Sequence, residues 1–289
     1  MIPSTDQHSH HATQQQHVLT VAFQGERGAF SDEAVRAYFG KEVEPFPCRN
    51  FADVFRAVSS GEVDGGLVPV ENSQAGSIND VYDLLRQHDL FVTGEISHPV
   101  SHCLLCLPGQ KLADIHRVIS HPQALAQSDA YLRELGVEIV ATYDTAGSAK
   151  MIREENLQGV AAVAGKGAAE LYQLEILAEG IQTIKDNYTR FIALSRESMP
   201  RRTGPAKTML VMATAHQPGS LYTCLGVLAA NNINLLKLES RPSRQRVWEY
   251  VFYLDFEGHR DDPHVRTALA DLASHTIFCK VLGSFARNA

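Results

Sequence analysis

The sequence predicts an α/β protein in two parts: a large region of alternating strands and helices, and a smaller unit of order βαββαβ. Three observations carry this. From Val18 to about residue 198, short apolar, β-branched runs alternate with segments of helical period, the pattern of a mainly parallel sheet flanked by helices. Residues 199–207, MPRRTGPAK, interrupt it with two prolines, a glycine and a basic cluster, as a linker does. Beyond them, two helical segments are interleaved with four strand-like runs in ferredoxin-like order.

Each element has its own signal. Residues 1–17 are rich in His and Gln, too polar to pack, and read as a disordered tail in which His8, His10 and His11 bind metal at most adventitiously. VLTVAF (18–23) is the first strand. Gly25 and Gly28 follow, with Ser31 the expected cap of a helix whose first turn carries Asp32 and Glu33. Ala34, Val35, Tyr38 and Phe39 form its apolar face, and Gly40 stops it. Asn50 is the expected cap of a second helix, bearing Val54, Phe55 and Val58 and ended by Gly61. GGLVPVENS (65–73) reads as a buried strand entering a polar loop. Ser77 is the expected cap of a third helix, with Val81, Leu84 and Leu85 inward. RVISHP (117–122), EIVATYD (138–144) and VAAVAG (160–165) are further strands, each before a helical pattern. In the last unit, TMLVMATA (208–215), INLLKLESRP (233–242), WEYVFYLDFEG (248–258) and TIFCKVLGSF (276–285) are strands, and 219–232 and 261–275 helices.

Bulk properties exclude several classes. The chain has 289 residues, 44% hydrophobic and 20% charged, enough for a real core. Its net charge of −7 is not that of a nucleic-acid partner. No apolar run approaches a membrane span, and the N-terminus lacks a signal pattern, so a cytoplasmic location is expected. Cys48, Cys103, Cys106, Cys224 and Cys279 are few, odd in number and mostly in apolar settings, as reduced core thiols are. CLLC (103–106) has redox or zinc-half-site spacing but lies in an apolar run without a second pair. It reads as core, and His98 and His102 beside it as non-ligands. No metal or other cofactor is expected.

Ligands of open α/β sheets sit beyond the carboxyl ends of strands. There the sequence places Gly25, Gly28 and Ser31; Glu71, Asn72 and Ser73; Ser120, His121, Pro122 and Gln123; Asp144, Thr145, Ala146, Gly147 and Ser148; and Asp186-Asn187-Tyr188-Thr189-Arg190-Phe191. Taken singly, the glycines are turns, the hydroxyls caps and Arg190 a surface ion pair. Together, small hydroxyls, amides and helix-start N–H groups suit carboxylates, and a guanidinium grips them bidentately. Neither a Walker loop nor a complete dinucleotide fingerprint is present.

These residues resemble the prephenate dehydratase family with a C-terminal ACT regulatory domain. The resemblance rests on Thr189-Arg190-Phe191 after Asp186-Asn187, and on Glu239-Ser240-Arg241-Pro242. GxxGAFS (25–31), VPVENS (68–73), SHPQALAQ (120–127) and DTAGSA (144–149) support it, over about Val18 to Phe285. Two departures are Thr183-Ile184-Lys185 after Gln182, where the family often has acids, and Gly219-Ser220-Leu221 in place of GAL.

The resemblance implies a two-lobed, periplasmic-binding-protein-like catalytic domain over 18–198, with lobes 18–96 plus 180–198 and 97–179. A linker at 199–207 and an ACT domain at 208–289 follow. It also implies a carbon–oxygen lyase that turns prephenate into phenylpyruvate without a cofactor. By position in the motifs, Thr189 donates to the leaving hydroxyl, Arg190 holds a carboxylate or orients its loop, and Glu71 is an acid or orienting group. Asn72, Ser73, Ser120, His121, Gln123, Thr145, Ser148 and Phe191 are the expected substrate-binding residues. L-phenylalanine is the implied feedback inhibitor, held by Gly219, Ser220, Leu221 and Leu235, with the turn Glu239, Ser240, Arg241 and Pro242 closing over it. ACT units bind ligands where two meet, which implies a homodimer or homotetramer. Arogenate dehydration and non-catalytic amino-acid binding are the rival readings.

Overall fold

The computed structural model describes residues 18–243 and 250–287. The expected tail at 1–17 and the first two residues of WEYVFYLDFEG lie outside the described residues.

The first lobe runs β1 (Thr20–Gln24), α1 (Phe30–Phe39), β2 (Glu44–Cys48), α2 (Phe51–Ser60), β3 (Gly65–Asn72), β4 (Gly76–Ser77), α3 (Asn79–Gln87) and β5 (Phe91–Pro99). The chain then crosses to a second lobe: β6 (Cys103–Cys106), β7 (Arg117–Ser120), α4 (Pro122–Gln127), α5 (Asp129–Leu135), β8 (Glu138–Ala141), α6 (Thr145–Glu154), β9 (Val160–Ala164), α7 (Lys166–Tyr172) and β10 (Glu175–Glu179). It returns through β11 (Tyr188–Ser195). The first sheet has the order β2-β1-β3-β11-β5 and the second β10-β6-β9-β7-β8. The parallel expectation holds for β2-β1-β3 and for β8-β7-β9. It fails at β11, antiparallel to β3 and β5, and at β6, antiparallel to β9 and β10. Both are the first strands laid down after a crossing between lobes.

Two expected caps are absent. The N-cap of α1 is Ala29, and Ser31 lies inside the helix. Asp32 closes this end instead, accepting the Gly28 N–H at 2.8 Å. The N-cap of α3 is Ile78, and the Ser77 hydroxyl donates to Glu239 at 2.9 Å. Asn50 does cap α2, accepting the Asp53 N–H at 2.9 Å. Cys103 and Cys106 belong to apolar clusters on opposite faces of the second sheet, which rules out a shared metal or disulfide.

The C-terminal unit comprises β12 (Ala206–Ala213), α8 (Ser220–Ala230), β13 (Leu235–Pro242), β14 (Tyr250–Glu257), α9 (Pro263–His275) and β15 (Phe278–Ala286). Its antiparallel sheet has the ferredoxin-like order β13-β14-β12-β15. Leu210, Met212, Leu254 and Phe256 pack under its helices with Leu228 and Leu272. Met209, Val211, Val251, Tyr253, Leu282 and Phe285 face the other way. They share one core with Tyr82, Leu85, Val92, Ile192 and Leu194 of the first lobe. A linker alone would leave two separate units; here the C-terminal sheet is built onto the first lobe.

Candidate active site

Between the lobes lies a cleft of about 630 Å³. The first lobe contributes Gln24, Ser31, Arg49, Asn50, Asn72 and Thr189; the second contributes His121, Gln123, Gln127 and Thr145. Most of these residues stand at or just beyond a strand's end or in the crossing strand β11; Ser31 lies in the first turn of α1 and Gln127 at the end of α4. Of the side chains lining the cleft, only Arg49 and Asp80 carry a formal charge. Anion affinity therefore has to come largely from backbone. The first turns of α1 and α2, at Phe30 and Phe51, abut the cavity, and their remaining N–H groups and positive dipole ends favour a carboxylate; at α6, which abuts it at Thr145, the Asp144 carboxylate already accepts the Gly147 N–H at 2.8 Å.

Thr189 sits on β11 and pairs with Asn72 of β3. The Asn72 Oδ1 accepts the N–H groups of Gln74 and Ala75 at 3.1 and 2.9 Å, so its amide nitrogen has to be the donor. That nitrogen donates to Thr189 Oγ1 at 3.0 Å and to Asn187 Oδ1 at 2.7 Å. The Thr189 oxygen thus receives a hydrogen bond, and its own hydrogen is left for the cleft. Asn187 then donates to Gln127 at 3.3 Å, and Gln127 Oε1 lies 2.8 Å from His102 Nε2. This chain joins the lobes under the cavity. Burial lowers the His102 pKa, opposed by its bond to Gln127. Because Gln127 Oε1 also accepts from Asn187, the ring hydrogen is assigned to Nε2. His121 caps α4, its Nδ1 accepting the Gln123 N–H at 3.2 Å.

Other expected site residues lie elsewhere. Ser120 donates to the Val163 carbonyl at 2.6 Å and Ser148 to that of Asp144 at 2.7 Å; both are fully buried. Ser73 bonds the 186–188 segment. None of the three lines the cleft, because each hydroxyl ties its own strand end or loop to a neighbour. Phe191 reaches the cleft wall from a core of Val21, Phe23 and Leu67.

Glu71 and Arg190 are the larger corrections. Residues alternate in a strand, so Arg190 points away from the face Thr189 occupies. Its guanidinium meets Glu95 at 2.8 Å and Asp255 of β14 at 2.6 Å. Burial opposes its charge, but Asp255 and Glu95 outweigh this and raise its pKa. Glu71 pairs with Lys237 of β13 at 2.7 Å. Neither reaches the cavity, so neither the carboxylate clamp nor the catalytic acid expected of them has the geometry for it.

The effector residues are also dispersed. Gly219, at φ +84°, caps α8 with open space about it. Leu235, however, aligns across β14 with Thr208, and Arg241 with Ala213. The helical crossover returns the chain to the start of β12, so Leu235 and Gly219 lie at opposite ends of the unit. The segment Glu239-Ser240-Arg241-Pro242 is strand, not turn. Glu239 meets Ser77 and Arg241 meets Asp83 at 3.5 Å, both in the first lobe.

Sequence reasoning missed Gln24, Arg49, Gln127 and His102 as cleft residues. Arg49 follows β2, whose Pro45 and Pro47 hid a strand at the sheet edge, where proline is tolerated. Gln127 lay inside SHPQALAQ, and a helical reading of that string would have carried it to the same face as Gln123 and Ala124, which also line the cleft.

Comparison with known proteins agrees with this geometry. Residues 21–199 match the family described as prephenate dehydratase, and 208–274 the ACT domain. The "Arogenate dehydratase/prephenate dehydratase 2, chloroplastic" of Arabidopsis thaliana is 43% identical over 277 residues, covering 92% of this chain and 72% of that protein. The chain spans about two thirds of the length of the curated relatives it matches. A solved prephenate dehydratase in complex with L-Phe, from Arthrobacter aurescens, has a TM-score of 0.85 at 33% identity, over 93% of this chain and 90% of that one. A protein described as GqqA, a novel type of quorum quenching acylase, has a TM-score of 0.86 at 38% identity, over 93% and 98%. The cytoplasmic expectation is overturned: Arabidopsis thaliana relatives are named chloroplastic. With both matches in sequence order and the two-lobed cleft and ferredoxin-like unit beneath them, this chain belongs to the prephenate dehydratase family and carries an ACT domain at its C-terminal end.

Proposed function

We propose that the chain converts prephenate to phenylpyruvate, water and carbon dioxide, under feedback inhibition by L-phenylalanine. The observation that carries this is the Thr189 hydroxyl, turned into a cleft built for anions by the amide of Asn72. As the ring carboxylate leaves as carbon dioxide, its bonding electron pair enters the ring and expels the hydroxyl at the opposite carbon. That hydroxide takes a proton and departs as water. Aromatisation drives the step, so no electron sink is required. A threonine hydroxyl is a weak acid; its contribution is a hydrogen bond to oxygen as negative charge develops there, a contact stronger in the transition state than in the bound substrate. Arg49 and the starts of α1 and α2 hold the carboxylates.

The same cleft suits arogenate, the substrate in the relatives' names; kcat/KM for each substrate separates the two. Effector binding is assigned to the C-terminal unit near Gly219, where the space beside the helix start is open, and a homodimer or homotetramer brings two such units together. The purified protein should form phenylpyruvate from prephenate, and saturating phenylalanine should lower the rate at least tenfold, about 1.4 kcal/mol of coupling. A rate indifferent to phenylalanine removes the effector from the reading and leaves the dehydratase. Exhaustive chelation with EDTA should leave the rate unchanged; loss restored by a single metal would reveal a metal requirement.

A further inference from the structure

We propose that Arg190 is a positioning residue that holds Thr189 in place from the ACT sheet, which makes the C-terminal unit part of the catalytic scaffold. This rests on Thr189 acting as the hydrogen-bond donor to the leaving group. The two residues are neighbours on β11 with side chains on opposite faces. Thr189 lines the cleft, while Arg190 donates from Nε to Glu95 at 2.8 Å and from Nη2 to Asp255 at 2.6 Å. Lys207 of β12 binds the same Glu95 at 2.8 and 2.9 Å and lies 3.7 Å from Asp255. Two cations and two carboxylates, all largely buried, therefore clamp β11 and β5 of the catalytic lobe to β12 and β14 of the ACT sheet.

At Thr189, β11 lies between β3 and β5, opposite Asn72 on one side and His98 on the other. The register between β11 and β3 slips between Arg190, opposite Glu71, and Phe191, opposite Pro69. Proline has no N–H to give the ladder, and a slip of this kind loosens local pairing. On the other side the ladder with β5 runs unbroken from Tyr188 to Ala193, so the cleft end of β11 is carried by β5, and the ion pairs of Arg190 and Lys207 with Glu95 and Asp255 fix these two strands to the ACT sheet. A shift of the ACT sheet that moved Asp255 would move Arg190, and with it the hydroxyl one residue away.

The test is a double-mutant cycle in the full chain between Asp255→Asn and Thr189→Ala, using whichever of prephenate and arogenate the wild type turns over. A wild type that turns over neither defeats the functional reading by itself; once turnover is seen, the cycle alone decides this proposal. Asp255→Asn should lower kcat roughly tenfold with KM within about twofold, and should cost nothing further in the Thr189→Ala background, because a misplaced hydroxyl no longer matters once it is gone. An unchanged kcat in folded Asp255→Asn protein, or the full tenfold loss repeated in the double variant, overturns it. If the amide variant does not fold, Asp255→Glu keeps the charge and displaces it by one methylene. Its smaller kcat loss should also vanish with Thr189→Ala, and a loss of equal size in both backgrounds overturns the proposal just as well.

Discussion

Thr189→Ala should lower kcat by roughly 10²-fold or more while KM stays within about twofold, the effect of removing a donor used mainly in the transition state. The protein should fold normally, since only a hydroxyl and a methyl group at the cleft wall are lost. Asn72 keeps its bonds to Asn187 and to the Tyr188 carbonyl, at 2.7 and 3.2 Å. Thr189→Ser restores the hydroxyl on the same backbone and should recover most of the rate. Steady-state kinetics of the two variants beside the wild type check this. Wild-type turnover in the alanine variant would end the assignment of Thr189, whatever became of the rest of the site.

The other large effect is on stability. Gly283 of β15 lies so close to β5 that a Cβ there would sit 2.0 Å from the Val92 carbonyl oxygen and 2.8 Å from its carbon. Both are backbone atoms in paired strands, so no side chain can swing aside. Gly283→Ala should force the ACT sheet off the first lobe, opening the shared core around Val92, Tyr253 and Leu282. Overpacking of this kind costs about 3 kcal/mol, which should lower the melting temperature by roughly 5–10 °C. Gly226 of α8, with nothing within 4 Å of a built Cβ, is the matched control; Gly226→Ala should be neutral or slightly stabilising. Equal melting curves for the two variants would mean the sheet is not seated on the lobe as described. For the same reason, a chain cut near Arg196 is no simple catalytic domain: it strips the cover from Tyr82, Leu85 and Val92 and leaves Arg190 without Asp255.

The fold was legible where period and punctuation agreed. The Gly40 and Gly61 stops, the Asn50 cap, the buried GLVPV strand and all four strands of the last unit declare themselves in local sequence. The longer strands that escaped are β2, β5, β6, β10 and β11; the local signal is weak or ambiguous in the first three, while EILAE and YTRFIALS were passed over. β2 carries two prolines, β6 is the four-residue run CLLC, and β5 mixes Gly94 with polar residues because it lies between β11 and the ACT sheet. In the site, residues at true strand ends, such as Asn72, His121, Gln123 and Thr145, reach the cleft as their position suggests. Arg190 and Glu71 were misread for one reason. A motif names residues but not the face each presents, and only the pairing of β11 with β3 and the docking of β13 and β14 show these two turned toward the C-terminal unit. Long-range contacts of this kind, 65 residues apart for Arg190 and Asp255 and 166 for Glu71 and Lys237, have no local signature.

The central claim is that this cleft carries out a decarboxylating dehydration and is not only a binding site. The most direct measurement is the stoichiometry of products from prephenate alone, with carbon dioxide and phenylpyruvate followed together and no metal or other cofactor added. The account predicts one of each per prephenate consumed, at a rate that collapses in Thr189→Ala. Prephenate, and arogenate tested alongside it, recovered unchanged after long incubation with folded wild-type protein would contradict it.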